Sequence, residues 1–194
     1  MPDDAVPPSA PEVPGLITLP NMITFGRLCA VPLAVWLVLH RQFGAAFGLF
    51  VVAGLSDALD GWLARRRGTS VVGAMLDPVA DKALLVCMYL TLSAVGVLPD
   101  WLAILVVFRD LLIVGGVIVH WLLGLPVAIR PLFVSKVNTA LQIVLVAAAL
   151  ALHGGGMKAP GLLGGLIWAV AASTLLSGAA YVRQAATGRG AGPR

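Results

Sequence analysis

Asp57, Asp60, Asp77 and Asp81 stand in runs otherwise made of Leu, Val, Ala and Gly. An uncompensated Asp at the centre of a lipid-embedded helix costs roughly 2.5–3.5 kcal/mol. Four would cost on the order of 10–14 kcal/mol, comparable to the stability of a whole domain. Something must compensate them. The plain alternative is a set of helix-end carboxylates snorkelling to an interface beside Arg65, Arg66 and Arg67. Their spacing argues otherwise. Asp57 and Asp60 are three apart and Asp77 and Asp81 four apart, so each pair shares one helical face. Carboxylates converging from two helices repel one another unless cations sit between them. Hard oxygen donors suit Mg²⁺, Mn²⁺ or Ca²⁺, and four carboxylates favour two metal ions over one.

Gly61, Ala64, Arg65 and Gly73 lie between or beside the pairs. Small residues at this spacing can simply bring membrane helices close together. Beside metal-binding carboxylates, a helix face without bulk also leaves room for a phosphate-bearing ligand, and Arg65 could grip phosphate oxygens with paired hydrogen bonds.

The elements that must hold these residues follow from composition. Of 194 residues 59% are hydrophobic and only 11% charged, with a mean hydropathy of +0.97. Such a composition excludes a soluble one-core enzyme and a disordered chain. Apolar runs cover about 23–40, 45–65, 75–96, 100–124, 132–152 and 161–183. The expectation is an all-α integral membrane protein of six transmembrane helices. Residues 19–184 then form one domain, between a disordered Pro-rich tail over 1–18 and a polar C-terminal tail over 185–194. The N-terminal tail lacks the basic start of a signal peptide.

With a cytoplasmic N-terminus, that side collects Arg65, Arg66, Arg67, Arg130, Lys136, Arg183, Arg189 and Arg194, against Arg41 and Lys158 opposite. The positive-inside rule then puts both termini and the Asp cluster on the cytoplasmic side. The net charge of +4 is a topology signal, so no nucleic-acid partner is expected. Cys29 and Cys87 read as buried membrane thiols, and His40, His120 and His153 carry no assigned role.

The stretch Asp57-Ala-Leu-Asp60-Gly61-Trp-Leu-Ala64-Arg65, followed by Gly73-Ala-Met-Leu-Asp77-Pro-Val-Ala-Asp81, resembles the signature of the CDP-alcohol phosphatidyltransferases. One departure is the spacer: seven residues separate Arg65 from Gly73 where the usual pattern has eight. The resemblance implies a six-helix, generally dimeric membrane fold that displaces CMP from a CDP-linked lipid with an alcohol. It also implies that Asp57, Asp60, Asp77 and Asp81 ligate two divalent cations, Mg²⁺ or Mn²⁺, and that Asp81 takes the acceptor hydroxyl's proton. Gly61, Ala64, Arg65 and Gly73, with Asp57 and Asp60, would line the CDP site.

Leu19-Pro20-Asn21-Met-Ile-Thr24-Phe-Gly-Arg27 is similar to the family's opening stretch, which implies that Asn21 and Thr24 lie near the nucleotide. The local alternative is a helix start with Asn21 as N-cap and Arg27 snorkelling. Arg109-Asp110 is either a self-neutralising intramembrane pair or a place where Arg109 faces the cavity and binds an acceptor phosphate. With Lys136, such an Arg109 would form a cationic pocket for an anionic lipid. Arg109-Asp110 and the stretch from Arg130 through Lys136, Asn138 and Thr139 to Gln142 are most similar to the CMP-forming cardiolipin synthases of mitochondrial type. These join CDP-diacylglycerol to phosphatidylglycerol. The runner-up is a phosphatidylglycerophosphate synthase using glycerol 3-phosphate. The location implied is the bacterial cytoplasmic (inner) membrane, with the active site facing the cytoplasm. A cation-coupled transporter would also carry intramembrane acids, but it would string them along a path in repeated halves, and no repeat is seen.

Overall fold

The computed structural model describes the backbone of residues 19–67, 71–122 and 133–186, with side chains for 25–56, 82–116, 118, 119, 122 and 133–184. The tail over 1–18 and residues 187–194 lie outside the described residues. The chain forms α1 (Leu19–Leu39), α2 (Phe43–Arg67), α3 (Val71–Ala94), α4 (Asp100–Leu122), α5 (Phe133–Gly154) and α6 (Pro160–Ala186). Each helix coincides with one apolar run, its ends differing by a few residues. By length and composition, α5 and the Pro160–Gln184 part of α6 could cross a membrane; shorter apolar stretches of described residues are Phe25–Leu39, Phe43–Ser56 and Lys82–Ala94.

Helices α1, α3 and α5 end alike. After each, one residue takes the left-handed conformation: Arg41 (φ 58°), Gly96 (φ 77°) and Gly156 (φ 65°). The residue after it donates its amide five residues back: Gln42 to the Leu37 carbonyl at 2.9 Å, Val97 to Leu92 at 2.8 Å, Met157 to Leu152 at 2.9 Å. This pattern satisfies carbonyls that the helix end would otherwise strand.

The helices close into a ring in the order α1, α2, α5, α6, α4, α3 and back to α1, and α3 also touches α5 across the middle. The ring thus divides into two four-helix lobes that share the α3–α5 edge. Among the described residues α2 packs on α1 and α5, and α3 on α1, α4 and α5. Ala34, Val38, Ala46, Met88, Leu92, Leu102, Val106, Leu145 and Val170 are buried in the core. Large apolar side chains also point outward from every helix, including Phe25, Val52, Leu90, Ile104, Phe133 and Trp168. Water would oppose such a surface, whereas lipid chains solvate it. Cys29 belongs to this outer face instead of the interior, and Cys87 is half-buried.

Candidate functional site

Helix α2 buries Ala46, Phe50 and Ala53, in steps of four and three residues. The same steps continue to Asp57, Asp60 and Ala64, so these positions extend the inward stripe of α2 by register. On α3, Leu92, Met88 and Leu84 are buried, and stepping back from Leu84 by three and four reaches Asp81 and Asp77. Both Asp pairs therefore continue helix faces that are turned to protein interior. Asp60 precedes the end of α2 at Arg67 by seven residues and Asp77 follows the start of α3 at Val71 by six, about 10.5 Å and about 9 Å of helix. Gly73 falls in the first turn of α3, so the short spacer is absorbed before the Asp77–Asp81 register begins. The side chains of Asp57, Asp60, Ala64, Arg65, Asp77, Asp81, Asn21 and Thr24 lie outside the described residues, as does the surrounding of Gly61 and Gly73. Among the described residues no group of three or more His, Cys, Asp or Glu could hold a metal ion.

Within the α1–α2–α5–α3 lobe lies a cavity of about 510 Å³. That is within the range of small-molecule sites, roughly 300–1,000 Å³. Its walls are mainly apolar, from Phe50, Val51 and Leu55 on α2 through Leu84 and Leu85 on α3 to Ile143 on α5. Arg27, Lys82 and Thr139 are its polar lining. Leu55, two residues before Asp57, and Lys82, which directly follows Asp81, are among the lining residues. Carboxylates are hard oxygen donors, and the donor chemistry of the four aspartates suits hard divalent cations.

Arg27 is only 3% exposed and lines this cavity, so it does not snorkel. Asn21 is the third residue of α1, in its first turn.

The second lobe, α3–α5–α6–α4, is filled by a polar network around Arg109. This residue is 4% exposed and absent from the cavity wall. Its Nη1 donates to Asp110 Oδ1 at 2.8 Å, and its Nη2 donates to Ser135 Oγ on α5 and Ser177 Oγ on α6, each at 2.6 Å. The guanidinium also lies 5.7 Å from the ring centroid of Tyr181. The geometry matches the self-neutralising pair, extended to α5 and α6, with Arg109 facing the lobe interior and not the cavity. Lys136, next to Ser135, is exposed. Deeper in the same lobe, buried Asn138 accepts from Ser173 at 2.7 Å and Thr174 at 2.9 Å.

Lys82 was not among the residues singled out by sequence. Its Nζ donates to the second oxygen of Asp110, Oδ2, at 2.7 Å. One signal could have found it: Asp110 lies in an apolar run, and a Lys in the third run sits directly beside Asp81.

The family model for CDP-alcohol phosphatidyltransferase matches residues 17–176. A chloroplastic CDP-diacylglycerol–glycerol-3-phosphate 3-phosphatidyltransferase of rice, Oryza sativa, is 37% identical over 85% of this chain and 56% of its own length. Cardiolipin synthases (CMP-forming) of rat and human are each 35% identical over 69% of this chain and 50% of theirs. The chain spans about half the length of the curated relatives it matches. The match over residues 17–176 takes in both Asp pairs and every residue that lines the cavity, and the chain belongs to the CDP-alcohol phosphatidyltransferase family.

Proposed function

We propose that this chain acts as a CMP-forming cardiolipin synthase, moving a phosphatidyl group from CDP-diacylglycerol to phosphatidylglycerol. The observation that carries the reading is the cavity walled by α1, α2, α3 and α5, set against two helix faces whose registers hold the four aspartates. Relatives named as cardiolipin synthases lend it the acceptor.

Asp57, Asp60, Asp77 and Asp81 would hold two divalent cations, Mg²⁺ or Mn²⁺. When bound, such ions offset the charge of a diphosphate and stabilise a leaving phosphate. Asn21, Thr24, Gly61, Ala64, Arg65 and Gly73, with Asp57 and Asp60, take the CDP moiety; the small residues give it room and Arg65 binds its phosphate oxygens. Asp81 accepts the proton of the acceptor hydroxyl. The freed oxygen bonds to the phosphorus bearing diacylglycerol, the diphosphate bridge breaks, and CMP leaves with the bridging oxygen. Lys136, exposed at the start of α5, contacts the acceptor phosphate. Arg109 supports that side from within, through Asp110 and Ser135.

In this reading all six helices span the bacterial cytoplasmic membrane, both termini and the site face the cytoplasm, and two chains pair as a homodimer. The rice relative favours a second reading, in which glycerol 3-phosphate is the acceptor and phosphatidylglycerophosphate the product. Purified protein in detergent with Mg²⁺ or Mn²⁺ and CDP-diacylglycerol decides between them. CMP release with phosphatidylglycerol and not with glycerol 3-phosphate is expected; release with glycerol 3-phosphate alone overturns the acceptor assignment.

A further inference from the structure

Lys82 belongs to both lobes at once. It sits on α3, the helix shared by the two, and lines the cavity of the first lobe with Arg27 and Thr139. Its Nζ is tied at 2.7 Å to Asp110, which belongs to the network of the second. The Lys82 side chain is 43% exposed and that of Asp110 12%, so the pair is anchored at its acidic end and open at its basic end. An ammonium has three donors, and Asp110 takes one. Asp110 in turn gives its other oxygen to Arg109, which is fixed by Ser135 and Ser177. The chain Lys82–Asp110–Arg109 carries two positive charges and one negative. Its net positive charge reaches open space only at Lys82.

We propose that Lys82 is an acceptor-binding residue, contacting the phosphate of the anionic alcohol, and that Asp110 and Arg109 are the positioning residues that hold its Nζ in place. This rests on the phosphatidyltransferase reading and deepens it. The direction of the side chain selects the acceptor over the diphosphate. Asp110 draws Nζ toward α4, the side of Arg109 and Ser135, whereas the residues assigned to CDP lie on α1, α2 and the first turn of α3. Lys82 also follows Asp81 directly, so a phosphate on its ammonium keeps the acceptor near the carboxylate that takes the proton. A fixed charge at a mainly apolar wall discriminates strongly, because little water competes for it.

The test uses the full-length protein in detergent, with CMP release measured while either substrate is varied. Wild-type turnover with phosphatidylglycerol or glycerol 3-phosphate first establishes the enzymatic reading by itself; no CMP release with either would end that reading whatever Lys82 does. In an active enzyme, Lys82→Gln is expected to raise the KM for the anionic acceptor at least about tenfold while changing that for CDP-diacylglycerol less than about threefold. Lys82→Arg should recover most of the affinity, and Asp110→Asn should give a smaller rise in the same KM. Unchanged acceptor KM in Lys82→Gln overturns the proposal, as does a rise confined to CDP-diacylglycerol. If Lys82→Gln does not fold, Asp110→Asn and Lys82→Arg carry the test, and an unchanged acceptor KM in Asp110→Asn overturns the positioning role.

Discussion

Gly154, the last residue of α5, rests on the backbone of Gly44 at the start of α2: a Cβ at position 154 would stand 2.7 Å from the Gly44 amide nitrogen and 2.8 Å from its Cα. The two helices are thus locked backbone to backbone at one end. Further along the same pair, Val51 and Leu55 face Thr139 and Ile143 across the cavity. A pin at one end and a void at the other let the lobe hold an open site without loosening the bundle.

Gly154→Ala should destabilise the protein, because the obstacle is backbone and cannot rotate away. Overpacking of this kind costs about 1–3 kcal/mol. Thermal unfolding in detergent reads the loss, with Gly48→Ala as control, since a Cβ there meets nothing within 4 Å. Equal melting temperatures for the two variants would show that the contact carries no constraint.

The left-handed residues that close α1 and α3 predict changes of opposite sign. Gly96→Ala places a Cβ at φ 77° and should cost about 1–2 kcal/mol. Arg41→Gly removes a Cβ at φ 58° and should gain up to about 1 kcal/mol, less what is lost with the 3.3 Å bond from Arg41 Nη2 to the Val95 carbonyl. Chemical denaturation of both variants checks the signs.

Arg109→Ala removes the donor that joins α4 to α5 and α6, and leaves Asp110 with Lys82 alone. A cost of about 3 kcal/mol is expected. Ser177→Ala, which removes one of its acceptors, should cost about 1 kcal/mol. Arg109→Lys should not restore stability, since an ammonium cannot span Asp110, Ser135 and Ser177 as the planar fork does. Melting temperatures that follow Arg109→Ala no more than Ser177→Ala would remove the network from the list of structural supports.

Asp81→Asn should abolish CMP release while largely sparing CDP-lipid binding, measured directly with labelled CDP-diacylglycerol. Loss of binding instead would make Asp81 an organiser of the ligands and not the base. Chelation by EDTA should likewise stop turnover, and added Mg²⁺ or Mn²⁺ should restore it. Activity that persists through chelation would contradict the metal assignment of all four aspartates.

Much of the architecture was legible because its causes are local. Apolar runs of about twenty residues can only be helices if they meet lipid, and Gly or Pro marks their breaks. The aspartate spacings carry their own register, since 3.6 residues per turn puts positions three and four apart on one face. Arg109-Asp110 was visible as a charge pair for the same reason. Its partners were not: Ser135 and Ser177 lie 26 and 68 residues away and look like any polar residue in a membrane helix.

The sequence by itself determined six helices, their approximate limits, the faces that carry the aspartates and the family to which they belong. Only the tertiary structure decided the ring order of the helices, the cavity walled by α1, α2, α3 and α5, and the joining of Lys82 to Asp110. The physical reason is range. Hydrophobicity and helical periodicity act within a segment and are written in its residues, whereas which helices meet depends on side-chain shape and charge summed over the whole bundle.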